Sequence, residues 1–110
     1  MTDFNSNLGI RRGEDGRSVV LDTQPEHQVL HGMIHFAVLT TMAEVAAAQV
    51  AEVAVVPAAL SVNLLRRATP GRLTARGTII RRGRRLIVAD GAVYQDDKLV
   101  AKATVTFAVL

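Results

Sequence analysis

Hydrophobic and polar positions follow two different periods along this chain. Residues 32–51 are apolar nearly all round, the pattern of a helix in a protein interior. Beyond them, apolar and polar side chains alternate over residues 73–80 and again over 99–109. Alternation with a period of two is typical of a strand with one buried face. The pattern predicts one long buried helix followed by strands.

Turn residues divide the remaining chain into short segments. Residues 9–12 and 17–22 are predicted strands around a turn at 13–16, and a polar loop follows in which Pro25 should prevent a helix. Further strands are predicted at 59–66, 73–80, 86–95 and 99–109. The short connections between the last three predict an antiparallel meander. We expect a single α+β domain over residues 1–110, with a curved antiparallel sheet wrapped around the helix.

Composition adds an expectation about assembly and location. Apolar residues make up 49% of the 110 residues and aromatic residues only 4%, which suggests a core plus a subunit interface. The chain has no cysteine, which excludes disulfides and thiolate metal sites and fits a cytoplasmic protein. No histidine or acid spacing predicts another metal site.

Two segments could be mistaken for targeting or membrane signals. The first residues, from Met1 to Asn5, lack the basic and apolar regions of a signal peptide. Residues 33–56 are rich in apolar side chains, but polar and charged residues, including Glu44 and Glu52, interrupt them. We therefore expect neither a signal peptide nor a membrane span.

Positive charge is concentrated in one part of the chain. The net charge is +3, and eight arginines with no acid fall between residues 66 and 85. Such a surface attracts anions, so nucleic acid, a phosphorylated cofactor and a membrane surface are all conceivable partners, while solvated strand ends are the simplest explanation. Few aromatic residues and no recognised binding motif argue against nucleic acid.

Two residues of the predicted helix, Gly32 and Glu44, are candidates for a catalytic role. Gly32 lies at its predicted start, where free N–H groups and the helix dipole favour negative charge. Glu44 is a carboxylate in an apolar helix, which is costly unless it is paired, neutral or functional. A donor cluster and an unusual acid together predict an active site.

The order of these segments resembles a known family, the hotdog-fold acyl-CoA thioesterases of the phenylacetate-pathway and 4-hydroxybenzoyl-CoA branch. His31-Gly32-Met33 corresponds to the His-Gly-Gly with which the family's helix opens. Segments 60–68, 70–75, 82–85 and 98–104 also resemble the family, so the likeness extends from about residue 21 to the end. The resemblance implies a hotdog fold, hydrolysis of an acyl-CoA, no cofactor besides the CoA of the substrate, and a dimer or a tetramer built of two dimers.

This sequence departs from the family at the position of the acid. The family places a carboxylate nine residues after the signature histidine, where this chain has Thr40. Glu44 follows one helical turn later and shares a helix face with Thr40. In the hydroxybenzoyl-CoA branch the acid comes first and the threonine second, so the two residue types are exchanged here.

The resemblance also implies roles for the residues of the site. The N–H of Gly32 or Met33 would polarise the thioester carbonyl. Glu44 would either activate water or attack directly to form a mixed anhydride, with Thr40 orienting the water and His31 orienting the loop or transferring a proton. Because the family's active site crosses a dimer interface, Glu44 of one subunit would face Gly32 of the other.

The resemblance extends to substrate contacts. The loop that contributes a side chain to the substrate in the family contains Gln24 and His27 here. Guanidinium groups suit the phosphates of CoA, which favours Arg66 and the turn of Arg81, Arg82, Gly83 and Arg84. The acyl group stays open. An alternative function is a hotdog protein that binds an acyl-CoA or a related ligand without turning it over.

Overall fold

The computed structural model describes residues 3–110. Met1 and Thr2, which belong to the predicted 1–110 domain and to the segment tested for a signal peptide, lie outside the described residues. The elements are α1 (Phe4–Leu8), β1 (Arg11–Arg12), β2 (Val19–Asp22), β3 (Gln28–Leu30), β4 (Met33–Ile34), α2 (Phe36–Ala51), β5 (Val55–Leu64), β6 (Arg72–Arg82), β7 (Leu86–Gln95) and β8 (Lys98–Val109).

Six strands form one antiparallel sheet in the order β1-β2-β6-β7-β8-β5, and α2 packs on one face of it. The predicted α+β arrangement and the meander of β6, β7 and β8 are confirmed. Strand β5 begins at Val55, four residues before its predicted start, and α1 was not predicted. No helix among residues 3–110 is long and apolar enough to span a membrane.

Small residues allow α2 to lie very close to the sheet. Ala43 and Ala46 of α2 are fully buried, and they lie over Gly91 of β7 and Gly77 of β6. A Cβ atom at either glycine would collide with the backbone carbonyl group of the alanine above it. The alanine-rich half of the helix and these two glycines therefore form one close-packed layer.

The start of the helix is not where the sequence analysis placed it. Gly32 has a φ of +80° and lies in the turn between β3 and β4, where Gln28 pairs with Ile34. The helix begins at Phe36, four residues later, and the side chain of His35 caps it by accepting a hydrogen bond from the N–H of Ala37 at 2.9 Å. The prediction of a helix from residue 32 was wrong because a left-handed glycine turns the chain into a hairpin first.

The loop before this hairpin also contains regular structure. Pro25–His27 form a single 3₁₀ turn, with proline at its start, where a missing N–H is tolerated. The predicted absence of helix after Pro25 therefore applies to α-helix only. The backbone carbonyl of His27 accepts a hydrogen bond from the N–H of His35 at 2.8 Å, which ties this turn to the start of α2.

Strand β5 is the long open edge of the sheet. It pairs only with β8, and most of its ten residues are exposed. Leu60 and Leu64 lie opposite the buried residues Val105 and Ala101 of β8, so they face the helix side of the sheet. They are nevertheless 46% and 52% exposed, because α2 lies mainly over β6 and β7.

Candidate active site

Two polar residues, Thr40 and Glu44, lie on the same flank of α2 as Phe36. Phe36, Thr40 and Glu44 are spaced four residues apart and so share one flank of the helix. Phe36 lines a groove together with Leu64 and Leu65 at the end of β5, which fixes the direction of this flank. The spacing that predicted a common face for Thr40 and Glu44 therefore places both on the same side of α2 as Phe36, although neither lines the groove itself.

Glu44 is half-buried on α2. Its carboxylate has no ion pair or hydrogen bond with residues 3–110, and burial raises its pKa above the usual value. The cause is desolvation, which disfavours the charged form. A carboxylate with a raised pKa and no partner is a good proton acceptor near neutral pH.

The His31-Gly32 turn holds an unexpected hydrogen bond. The N–H of Gly32, proposed above as the donor to the substrate carbonyl, donates instead to Oε1 of Gln28 at 2.6 Å. His31 lies at the same turn with its side chain exposed. Gln28 was not among the predicted site residues, because its contact with Gly32 depends on the β3–β4 hairpin, which the hydrophobic pattern did not reveal.

An apolar groove of about 450 Å³ begins beside this turn. The β3–β4 hairpin, the start of α2 and the end of β5 supply its apolar side chains: Val29, Met33, Ile34, Phe36, Leu39, Leu64 and Leu65. Arg66 and Arg67 also line it, and they add positive charge. Of the predicted substrate-binding residues, the structure therefore brings Met33 and Arg66 together at one groove.

Gln24 and His27 have structural partners in the 3₁₀ turn. The N–H of Gln24 donates to Nδ1 of His27 at 2.8 Å, and His27 is buried. The side chain of Gln24 is exposed, and its Nε2 lies 3.4 Å from the backbone oxygen of Asp22. Neither side chain lines the apolar groove.

The turn that contains Arg81, Arg82, Gly83 and Arg84 lies at the far end of α2. Arg82 donates to the backbone oxygen of Ala51 at 2.8 Å and to that of Val50 at 3.3 Å, so it satisfies carbonyl groups at the C-terminal end of the helix. A helix of 16 residues is about 24 Å long at 1.5 Å per residue. Within one chain, this turn is therefore remote from Gly32.

The acids and histidines of this region do not form a metal centre. Among residues 3–110, no group of three His, Cys, Asp or Glu side chains is arranged to hold a metal ion.

Comparison with known proteins assigns the fold and the family. Residues 21–108 match the family model described as the acyl-CoA thioesterase N-terminal domain, which covers most of the chain. This chain belongs to the acyl-CoA thioesterase family. The predicted resemblance is confirmed, and hydrolysis of acyl-CoA thioesters is the activity of this thioesterase.

Solved structures agree with this assignment. The thioesterase is similar to the TT0310 protein of Thermus thermophilus, with 26% identity, a TM-score of 0.89 and 100% of both chains covered. It is also similar to the thioesterase HI1161 of Haemophilus influenzae, with 25% identity, a TM-score of 0.85 and 96% and 81% of the two chains covered. The BH2602 protein of Bacillus halodurans, solved with CoA, is 27% identical with a TM-score of 0.86, and 96% and 74% of the two chains are covered. No curated protein sequence matches significantly.

A thioesterase must bring an acid or nucleophile to the carbonyl carbon and a donor to the carbonyl oxygen. Glu44 lies eight residues into α2, about 12 Å along the axis from Phe36. The hairpin turn lies before that start. One copy of this thioesterase therefore presents the acid and the turn as two separate regions of the same uncovered flank.

Proposed function

We propose that the protein hydrolyses an acyl-CoA thioester to a free acid and CoA at a site shared by two copies of the chain. Glu44 of one copy faces the His31-Gly32 turn of the other in this proposal. The observation that carries it is Glu44, a half-buried carboxylate without a partner among residues 3–110, on the same side of α2 as Phe36, which lines the open groove.

The edge strand β5 supports a two-fold assembly. A long, exposed and largely apolar edge strand is a template for pairing with another chain, and proteins normally cover such edges. Antiparallel pairing of β5 with its symmetry mate would extend the sheet and place a second α2 on the same face of the joined sheet as the first. The two helices would then run in opposite directions, which brings the middle of one helix toward the start of the other. Two such dimers would make the expected tetramer.

The chemistry follows from the environment of Glu44. As general base, its carboxylate removes a proton from water while the water oxygen bonds to the carbonyl carbon, and Thr40 orients that water. The tetrahedral intermediate then collapses with loss of the CoA thiolate, which takes up the proton. Direct attack by Glu44 would instead give a mixed anhydride that water opens in a second step. Both routes need the ionised carboxylate.

The apolar groove suits an aliphatic acyl chain. Most of its lining side chains are apolar, with His35, Arg66 and Arg67 as the exceptions, and its volume of about 450 Å³ falls in the usual range for ligand sites. Arg66 and Arg67 line the same groove, where they can pair with the phosphates of CoA. Arg81 and Arg84 would reach the CoA only from the partner copy.

Two further parts of the proposal rest on the sequence. We place the protein in the cytoplasm because it has no cysteine. We assign it no nucleic-acid partner, because a surface that stacks bases needs aromatic side chains and only 4% of the residues are aromatic.

Release of free thiol from a panel of acyl-CoA substrates tests the proposal, with wild type, Glu44→Ala and Glu14→Ala compared. Removing a general base costs about 10²- to 10⁴-fold in rate, so Glu44→Ala should lose most activity. Glu14 lies in an exposed turn, and its substitution should leave the rate unchanged. Full activity in Glu44→Ala would refute the role of Glu44. A wild-type protein that cleaves no acyl-CoA, but whose melting temperature one of them raises, would instead support the non-catalytic alternative.

A further inference from the structure

The segment 65–71, which joins β5 to β6, lines two cavities. Arg66 and Arg67 line the apolar groove, and both also line a second cavity of about 400 Å³. Lys98 and Asp96, at the β7–β8 turn, line that second cavity as well, so its charged groups are three cations and one acid. Both arginines are exposed, and neither makes an ion pair with residues 3–110. Their guanidinium groups are therefore available to an anion.

The side-chain amide of Gln95 holds this segment from the end of β7. The N–H of Thr69 donates to Oε1 of Gln95 at 3.0 Å, and Nε2 of Gln95 donates to the backbone oxygen of Thr69 at 2.6 Å. The amide therefore satisfies both backbone polar groups of Thr69, as a neighbouring strand would. Gln95 is itself fixed, because it is the last residue of β7 and pairs with Lys98 across the turn.

The backbone on the N-terminal side of Thr69 carries the two arginines. The N–H of Arg66 donates to the backbone oxygen of Val100 at 3.1 Å, and the backbone oxygen of Ala68 accepts from the N–H of Ile34 at 2.9 Å. Arg67 lies between these two anchors and makes no backbone hydrogen bond of its own with residues 3–110. Its position depends on how firmly the residues on either side of it are held.

We propose that Gln95 is a positioning residue: by holding Thr69 it keeps Arg66 and Arg67 in place for the phosphates of CoA, and so favours CoA thioesters over thioesters of short thiols. This inference rests on the proposed function. A binding group that is already in place loses less conformational freedom when the ligand arrives, which strengthens binding. The phosphates of CoA are remote from the thioester carbonyl, so the arginines contact them equally in the substrate complex and in the transition state. Loosening the segment should therefore change KM and leave kcat unchanged.

Two neutral variants remove the hydrogen bonds to Thr69 without adding a charge to the cavity. Gln95→Met keeps the length of the side chain and can make neither hydrogen bond. Gln95→Asn keeps an amide, but it is one methylene too short to reach both backbone groups of Thr69. Gln49→Met is the matched control, because Gln49 donates to the backbone oxygen of Arg17 at 3.0 Å, far from both arginines.

The measurement is steady-state kinetics with an acyl-CoA and with the thioester of the same acyl group with a short thiol. We expect both Gln95 variants to raise KM for the acyl-CoA about 3-fold with kcat unchanged, and to leave KM for the short thioester unchanged. Gln49→Met should match wild type with both substrates. An equal change with both substrates would overturn the inference, because it would make Gln95 a residue of general structural importance. A wild-type KM in both Gln95 variants would overturn it as well.

A double-mutant cycle tests whether Gln95 acts through the arginines. In a protein that carries Arg66→Ala and Arg67→Ala, adding Gln95→Met should not change KM for the acyl-CoA further, because no guanidinium group is left to position. A rise in KM that persists without the arginines would overturn the inference. Failure of any of these tests, with an active wild type and an inactive Glu44→Ala, would leave the proposed function standing.

Discussion

The two flanks of α2 differ in how completely the chain covers them. The flank toward β6 and β7 is closed, with Ala43 and Ala46 fully buried over glycines. The flank toward β5 carries Thr40 and Glu44 beside exposed leucines. The closed flank contains only apolar and small residues, so it can serve stability alone. The open flank contains the acid, which is half-buried and has no ion pair or hydrogen bond with residues 3–110 of its own chain.

The difference indicates that stability depends mainly on one flank of α2 and function on the other. A residue on the closed flank contributes to the free energy of unfolding through close packing, so that even one extra methyl group changes it. In the proposed assembly, a residue on the open flank would instead determine how two copies meet and what they can do together. Substitutions on the two flanks should therefore change different measurements.

The largest effect is expected from a charge placed on the open flank. Leu60→Glu should prevent the pairing of two copies, because the carboxylate would be buried without a partner in the interface. The protein should become monomeric and lose about 10²- to 10⁴-fold in thioesterase rate, the contribution of the missing acid. Light scattering and thiol release measure the two effects. Ile80→Glu, at another exposed apolar position, is the control and should stay assembled and active.

A bulky residue on the closed flank should affect stability instead. Gly91→Val would place side-chain atoms into the backbone of Ala43, which should cost about 3 kcal/mol of unfolding free energy. Ala92→Val, at the next position on the opposite face of the sheet, should be nearly neutral. Urea unfolding measures both. An equal effect of the two variants would mean that the helix does not pack closely on the sheet.

A smaller effect is expected at the rim of the apolar groove. Arg66→Ala should raise KM about 5-fold, with kcat unchanged. The substitution removes one charged contact to CoA whose strength is the same in the substrate complex and in the transition state. Steady-state kinetics checks this prediction, with an acyl-CoA as one substrate and the thioester of the same acyl group with a short thiol as the other. The short thiol ester lacks the phosphates, so its KM should not respond to the substitution.

The smallest effect is expected in the way the free energy of unfolding depends on pH. Burial raises the pKa of Glu44 above its ordinary value of 4.5, so folding disfavours the charged form. The penalty is absent below about pH 4.5, grows as pH rises through the raised pKa of the folded state, and is complete above it. Glu44→Gln should therefore stabilise the protein slightly at pH 8 and not at pH 4. Thermal unfolding at the two pH values would contradict this if Glu44→Gln were destabilising at pH 8.

Much of the fold was predictable because its signals are local. Alternation predicted the strands of the meander, and the apolar run predicted the C-terminal end of α2 at Ala51. The start of the helix was not predictable in this way, because a single positive φ at Gly32 and the pairing of Gln28 with Ile34 convert an apolar stretch into a hairpin.

The site was predictable only in part, for a similar reason. Helical spacing alone places Thr40 and Glu44 on one face of α2, and in the structure both are half-buried on the side of Phe36, which lines the groove. The hydrogen bonds from Gly32 to Gln28 and from Arg82 to Ala51 form only when the chain has folded. No pattern of residue types along the sequence encodes those two contacts.

Subunit mixing tests the shared site most directly. Glu44→Gln removes the acid, and Met33→Glu blocks the groove beside the hairpin turn, so each homodimer should be inactive. If the two inactive proteins are unfolded and refolded together at equal amounts, half of the dimers are mixed and each mixed dimer has one intact site, which predicts about a quarter of the wild-type activity. No recovery of activity in the mixture, with mixed dimers verified by mass spectrometry, would place the acid and the turn of each site in the same chain and contradict the account.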